Sequence, residues 1–116
     1  MGEVPTWSPL MPNLIGRELR AGKKPNEFSR DHLNPESLDV DAAFAAHRWG
    51  DNVLYISQAR ALCGPEGCRR LVGPRLPEDM ISMDYGHYTP AGSVYAVRTI
   101  LAPALDPILA AARKPE

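Results

Sequence analysis

The chain is short of charge imbalance before it is short of anything else. Its 116 residues hold 13 Lys and Arg against 14 Asp and Glu, a net charge of −1. That balance excludes the basic footprint that a phosphate backbone demands, so no nucleic-acid partner is expected. An apolar fraction of 44% is ordinary, which argues against disorder. No apolar run reads as long enough to span a bilayer. The N-terminus lacks a basic region followed by an apolar core, so no signal peptide is expected, and Met1-Gly-Glu-Val-Pro5 reads as an internal segment. Cysteine is limited to Cys63 and Cys68. A zinc site would need further ligands at ligand spacing, and none is present. No cofactor is implied.

Proline is plentiful instead, with 12 residues. Clusters at Pro5, Pro9 and Pro12, and again at Pro74 and Pro77, imply long ordered loops. The length allows at most one domain with a modest core. Residues 1–9 read as the end of a strand and a proline turn. Leu10–Ala21 reads as a helix with Leu14, Ile15 and Leu19 on one face, stopped by Gly22. The basic group Arg17, Arg20, Lys23 and Lys24 then falls at its solvated end. A polar loop follows. Pro35–Trp49 reads as a second helix, capped by Asn34, with Leu38, Ala42, Ala45 and Ala46 as its apolar face. Val53–Ser57 is the clearest strand signal, apolar enough to be covered on both sides as in a parallel sheet. Gln58–Leu62 reads as one helical turn. Arg69–Met83 is loop-rich, with an extended piece near Met80–Met83. Thr89–Ala112 reads as the last helical region, which Pro103 and Pro107 must kink or break.

Cys63 and Cys68 flank Gly64, Pro65 and Gly67, residues that can close a tight loop. A disulfide is favoured over free thiols, and would point to an oxidising compartment.

Chemistry concentrates in Ser82-Met-Asp-Tyr-Gly-His-Tyr-Thr-Pro-Ala-Gly-Ser93. Asp84 and His87 share a short loop that runs into a helix start, where Thr89 suits the cap and Pro90 the first helical position. A carboxylate at fixed spacing from an imidazole can hold the ring in one tautomer while the ring moves a proton. His32, in a polar loop, and His47, on the polar side of a helix, have no such neighbour. Trp7 and Trp49 read as core or edge packing. Ser8, Ser57, Ser82 and Ser93 could approach His87, but none sits on a turn that exposes a nucleophile.

The block Asp84-x-x-His87-Tyr-Thr-x-x-Gly92 resembles the last conserved block of the SGNH-hydrolase superfamily. It is most similar to SGNH domains fused to acyltransferase-3 membrane proteins, where the block reads roughly Asp-x-x-His-Leu-Ser-x-x-Gly. The loop Cys63–Cys68 resembles the paired cysteines often found there, and Val4-Pro5-Thr6-Trp7-Ser8-Pro9 resembles the end of their Val-Pro strand. Tyr88 stands in place of Leu and Thr89 in place of Ser. The Gly-Asp-Ser block that carries the nucleophile in that family is absent from this sequence, as are the later Gly and Gly-x-Asn blocks that donate to the oxyanion.

The resemblance implies an α/β fold. Residues 1–116 would be the C-terminal part only of a three-layer α/β/α, flavodoxin-like domain of SGNH type. Such a domain normally has a parallel sheet of about five strands, of which this chain would supply about two. It implies an esterase or O-acyltransferase acting on acyl, chiefly acetyl, esters of carbohydrates, with Asp84 and His87 as two members of a Ser-His-Asp triad. The chain alone would be inactive, and whether it is itself an enzyme stays open. Relatives of that type are membrane-anchored with the SGNH domain outside the cytoplasm. Partners would be a carbohydrate or acyl-ester substrate, and self-association or pairing with the missing N-terminal half. The alternative is a small non-catalytic interaction domain that uses an exposed sheet edge.

Overall fold

A computed structural model describes residues 1–113. It is a mixture of helices and one small antiparallel sheet, consistent with an α/β chain. The helices are α1 (Met11–Arg20), α2 (Pro35–Ala46), α3 (Gln58–Leu62), α4 (Pro90–Ala96) and α5 (Ala102–Ala112); the strands are β1 (Phe28–Ser29), β2 (Cys63–Gly64) and β3 (Gly67–Arg69).

Helix α1 starts at a proline-bearing first turn and buries Met11, Leu14 and Ile15. Leu19, expected on the same face, is 48% exposed; in that last turn the rest of the fold meets Glu18, through Arg70. Gly22 takes a φ of +73°, the left-handed conformation that ends a helix easily only at glycine. Helix α2 stops at Ala46, three residues earlier than expected, where His47 adopts an extended conformation. Asn34 holds the cap position without a side-chain cap bond; its amide donates to Thr6 Oγ1 at 3.2 Å instead. The buried residues of α2 are Ser37 and Asp41, not the alanine face. Asp41 accepts hydrogen bonds from the Tyr55 hydroxyl at 2.6 Å and the Ser57 hydroxyl at 2.7 Å, so this buried carboxylate is satisfied by residues across a turn.

The sheet order is β1-β3-β2, antiparallel throughout, with Cys63 opposite Cys68 and Phe28 opposite Arg69. Gly67 carries a φ of +107°, and a Cβ there would meet the Ser29 backbone at 2.3 Å. Glycine is required for β1 to approach. The expected parallel sheet is not formed among the described residues. Val53–Ser57 is not a strand, and Val53 and Leu54 are each 52% exposed. A strand needs a neighbour for its amides and carbonyls. Beside a local turn bond from the Val53 N–H to the Gly50 carbonyl, at 2.9 Å, the described residues offer this segment the Gly2 N–H to the Ile56 carbonyl, at 2.8 Å.

Arg70 is buried and forks onto Glu18 at 2.6 and 3.1 Å, and its guanidinium also donates to the Asn26 carbonyl. This pair ties α1 to the end of β3. The core lies between them: Trp7, Met11, Leu14, Ile15, Leu62, Cys68, Leu71, Ile81, Ala96 and Ile100. The extended piece near Met80–Met83 is observed as a hub of short backbone pairings. The Ile81 N–H donates to the Arg70 carbonyl at 2.8 Å, and the Thr89 N–H donates to the Ile81 carbonyl at 3.1 Å.

From Pro90 the chain stays helical to Ala112, α4 passing through a π-helical stretch, Val97–Leu101, into α5. The prolines do not break it. Pro103 sits at the first turn of α5, where a missing N–H is tolerated, just after a π stretch in which the Ala102 N–H reaches back to the Val97 carbonyl; Pro107 lies inside α5. The consequence corrects the membrane expectation. Because the apolar residues on both sides of the prolines belong to one rod, Pro90–Ala112 is long and apolar enough, by length and composition, to cross a membrane. Arg98 and Asp106 interrupt it, and a bilayer tolerates such residues only where they are paired or lead to water. Helix α5 buries no residue, and the longest dimension of the molecule is 61 Å.

Candidate acid–base site and adjoining groove

The Met83 N–H donates to the His87 carbonyl at 3.0 Å, and Ser82 pairs with Tyr88. Those contacts close residues 83–87 into a tight hairpin-like loop. The exit is pinned harder. Thr89 caps α4 by accepting from the Gly92 N–H at 3.0 Å, and its own hydroxyl donates to the Met80 carbonyl at 2.5 Å. Gly92 is needed here, since a Cβ would lie 2.0 Å from the Ile81 carbonyl oxygen.

Within the loop, Asp84 Oδ1 accepts from the backbone N–H of Gly86 and of His87, both at 2.8 Å. This is an Asp turning its own backbone. The same carboxylate faces the imidazole: His87 Nδ1 lies 2.8 Å from Oδ2 and 3.0 Å from Oδ1. The Gly86 amide first, then the His87 ring, hold the Asp84 carboxyl below the ordinary value of 3.8. An ionised Asp84 accepts at Nδ1, so the ring carries its proton there and leaves Nε2 as the basic nitrogen. The His87 side chain is 69% exposed, and Tyr85 meets it edge-on with ring centroids 6.4 Å apart.

Beside the loop runs a groove of about 370 Å³, lined by Gly2, Glu3, Val4, Thr6, Gln58, Tyr85 and Gly86. Tyr88 donates to Gln58 Oε1 at 2.5 Å, and the Gln58 amide donates in turn to the Gly2 carbonyl. Burial raises the Tyr88 hydroxyl to about 12, so it remains a donor. Gln58 and Tyr85 carried no functional signal in the sequence, because Gly2 and Gln58 meet only through the fold.

Of the serines considered as partners for His87, Ser57 is engaged by Asp41, Ser82 is buried, and Ser8 and Ser93 are exposed. Among the described residues none is hydrogen-bonded to the imidazole. His47 packs edge-on against Trp49 at 4.5 Å, and Trp7 is buried in the core. Cys63 and Cys68 are disulfide-bonded, with Cα atoms 4.0 Å apart. No group of three metal-ligating side chains stands together among the described residues.

No protein-family model matches the chain, and no curated protein matches it. A solved structure does: the periplasmic domain of a lipopolysaccharide acetyltransferase from Salmonella ser. Paratyphi A. It is 28% identical with a TM-score of 0.65, over 84% of this chain and 38% of that chain. The present chain therefore spans well under half of that neighbour's length. The likeness supports an acyltransferase-related domain, with a helical and small-sheet architecture similar to part of that periplasmic structure.

Proposed function

We propose that this chain supplies the His–Asp half of an SGNH-type triad in an O-acyltransferase or esterase domain that acts on acyl esters of carbohydrates. The observation that carries it is the Asp84–His87 loop. Its carboxylate is anchored by two backbone amides and both of its oxygens lie within 3.0 Å of Nδ1. The likeness to an acetyltransferase periplasmic domain adds weight, and the disulfide fits an oxidising compartment.

The chemistry assigns His87 Nε2 as the base. It takes the proton of a serine hydroxyl as that oxygen attacks an acyl carbonyl, and returns it to the departing alcohol oxygen. Asp84 holds the ring and stabilises the imidazolium that forms. The acyl group then passes from the serine to water or to a sugar hydroxyl, with His87 deprotonating that acceptor. The serine and the oxyanion donors come from outside these 116 residues, so the chain alone has negligible esterase activity. Purified chain assayed with an activated acetyl ester, beside His87→Ala, should show turnover that does not depend on His87. Turnover abolished by His87→Ala would overturn the division of labour and return Ser8, Ser57 and Ser93 to consideration.

A further inference from the structure

Tyr88 follows His87 on the outgoing arm of the acid–base loop, and its hydroxyl enters a chain of hydrogen bonds that the acid–base chemistry does not use. Residues 81–83 and 87–89 pair as two short arms. The Met83 N–H donates to the His87 carbonyl at 3.0 Å, Ser82 bridges to Tyr88, and the Thr89 N–H donates to the Ile81 carbonyl at 3.1 Å. Side chains alternate along an extended arm. The His87 ring stands in solvent, and Tyr88 packs against the core. There the Tyr88 hydroxyl donates to Gln58 Oε1 at 2.5 Å, and Gln58 Nε2 donates to the Gly2 carbonyl. Gln58 is the first residue of α3 and is 8% exposed. Gly2 is wedged in its turn. Its N–H donates to the Ile56 carbonyl at 2.8 Å, and a Cβ on it would lie 2.0 Å from the Tyr55 hydroxyl.

The direction of this chain of bonds is fixed by its end. A backbone carbonyl only accepts, so Gln58 turns its NH2 to Gly2 and its oxygen to Tyr88. The Tyr88 hydroxyl must then donate, and burial, which raises it to about 12, keeps its proton in place. Removing that donor strands a buried amide oxygen, which costs more than the bond itself contributes. Leu, which stands at this position in the block that the sequence resembles, would fill the space and leave the oxygen bare.

We propose that Tyr88 and Gln58 are positioning residues for His87, a buried clamp that sets where the imidazole stands. The proposal rests on the acid–base reading above and adds residues that act on the ring through the backbone. The Thr89 cap holds the chain one position beyond Tyr88, and Gln58 holds the Tyr88 ring. With both held, the peptide joining His87 to Tyr88 has little freedom left. That peptide carries the carbonyl that closes the loop, so Nδ1 stays within 3.0 Å of both Asp84 oxygens. Once the clamp is released, residue 88 regains backbone freedom and the ring drifts off the carboxylate. A base misplaced by about 1 Å loses on the order of 10² in rate.

The test reads the His87 ring nitrogens by proton–nitrogen NMR in the chain as it stands. The pH is about 8.5, where a carboxylate is ionised and an ordinary imidazole is neutral. In the wild type the proton should sit mainly on Nδ1. Tyr88→Phe keeps the packed ring and removes the donor alone. It should lower the ratio of Nδ1–H to Nε2–H about fivefold, the scale of one hydrogen bond. Gln58→Met should do the same, and the two together should lower it no further, because either one breaks the same chain of bonds. Ile15→Val truncates a buried side chain on α1. It should lower the melting midpoint and leave the ratio alone. An unchanged ratio in Tyr88→Phe overturns the proposal. So do losses that multiply to about 25-fold in the double variant, which would make the two residues independent. An equal loss in Ile15→Val overturns it as well, since the ratio would then report general loosening. Should Gln58→Met not fold, Tyr88→Phe and Ile15→Val decide the matter by themselves. Failure of the acid–base reading looks different: the wild type itself would lack the Nδ1 preference, and the clamp would fall with it.

Discussion

At the scale of residues, the decisive feature is how Asp84 is held. Three donors converge on one exposed carboxylate, two from the backbone and one from His87. Its depressed titration has a definite sign. The contribution of ionised Asp84 to loop order is complete above the ordinary value of 3.8 and is lost as pH falls through the lower folded-state value. Carboxyl-carbon NMR should therefore place its midpoint below 3.8 in the wild type, and Gly86 and His87 amide shifts should move with it. Asp84→Asn should leave the loop fold largely in place but release the Nδ1 proton preference, visible in the ring nitrogen shifts. In an assembled enzyme the same change should lower turnover by roughly 10⁴-fold. Gly92 is a second test of a single position. Its substitution by Ala forces a Cβ against the Ile81 carbonyl. It should destabilise the chain by about 2 kcal/mol, read as a lower midpoint in thermal denaturation.

At the scale of elements, two devices position the loop without touching it. One is the Thr89–Pro90 start of α4, which fixes where the loop must end. The other is the β2–β3 hairpin, closed by the disulfide and carrying fully buried Cys68 into the core. The bond closes a short loop, so by chain entropy its removal should cost about 2 kcal/mol. Cys63→Ser with Cys68→Ser, or reductant added to the wild type, should lower the melting midpoint by the same margin. A larger loss in the double variant than in reductant would assign the excess to the packing of Cys68.

At the scale of the whole molecule, the apolar surface left uncovered stands out. Val94, Val97, Ile108 and Leu109 on the Pro90–Ala112 rod are each about half exposed, as are Val53 and Leu54. That area is more than a lone chain of this size leaves to water without consequence. Purified chain should self-associate at micromolar concentration in sedimentation velocity. Ile108→Glu with Leu109→Glu should shift it toward the monomer, and an unchanged distribution would remove the rod as the contact. A sheet edge, the feature an interaction domain would use, is offered by β1 and β2 and not by Val53–Ser57, where no strand is formed.

What the sequence by itself determined about this protein is what acts over a few residues. The Asp84–His87 contact, the Thr89–Pro90 start, the Gly22 stop and the tight cysteine loop all join partners no more than five positions apart. Side-chain chemistry and backbone sterics settle such contacts before any long-range packing. Only the tertiary structure decided the rest. The nearly continuous apolar, β-branched and aromatic run at Val53–Ser57 signals a strand, yet a strand exists only if another segment pairs with it. The alanine face of α2 looks like a core face, yet Tyr55 and Ser57, 14 and 16 residues away, turn Asp41 inward. The groove beside the acid–base loop joins Gly2 to Gln58 across 56 residues. Such contacts depend on where the whole chain folds back. No local propensity encodes that, because the free energy that fixes it is shared among all the surfaces buried together.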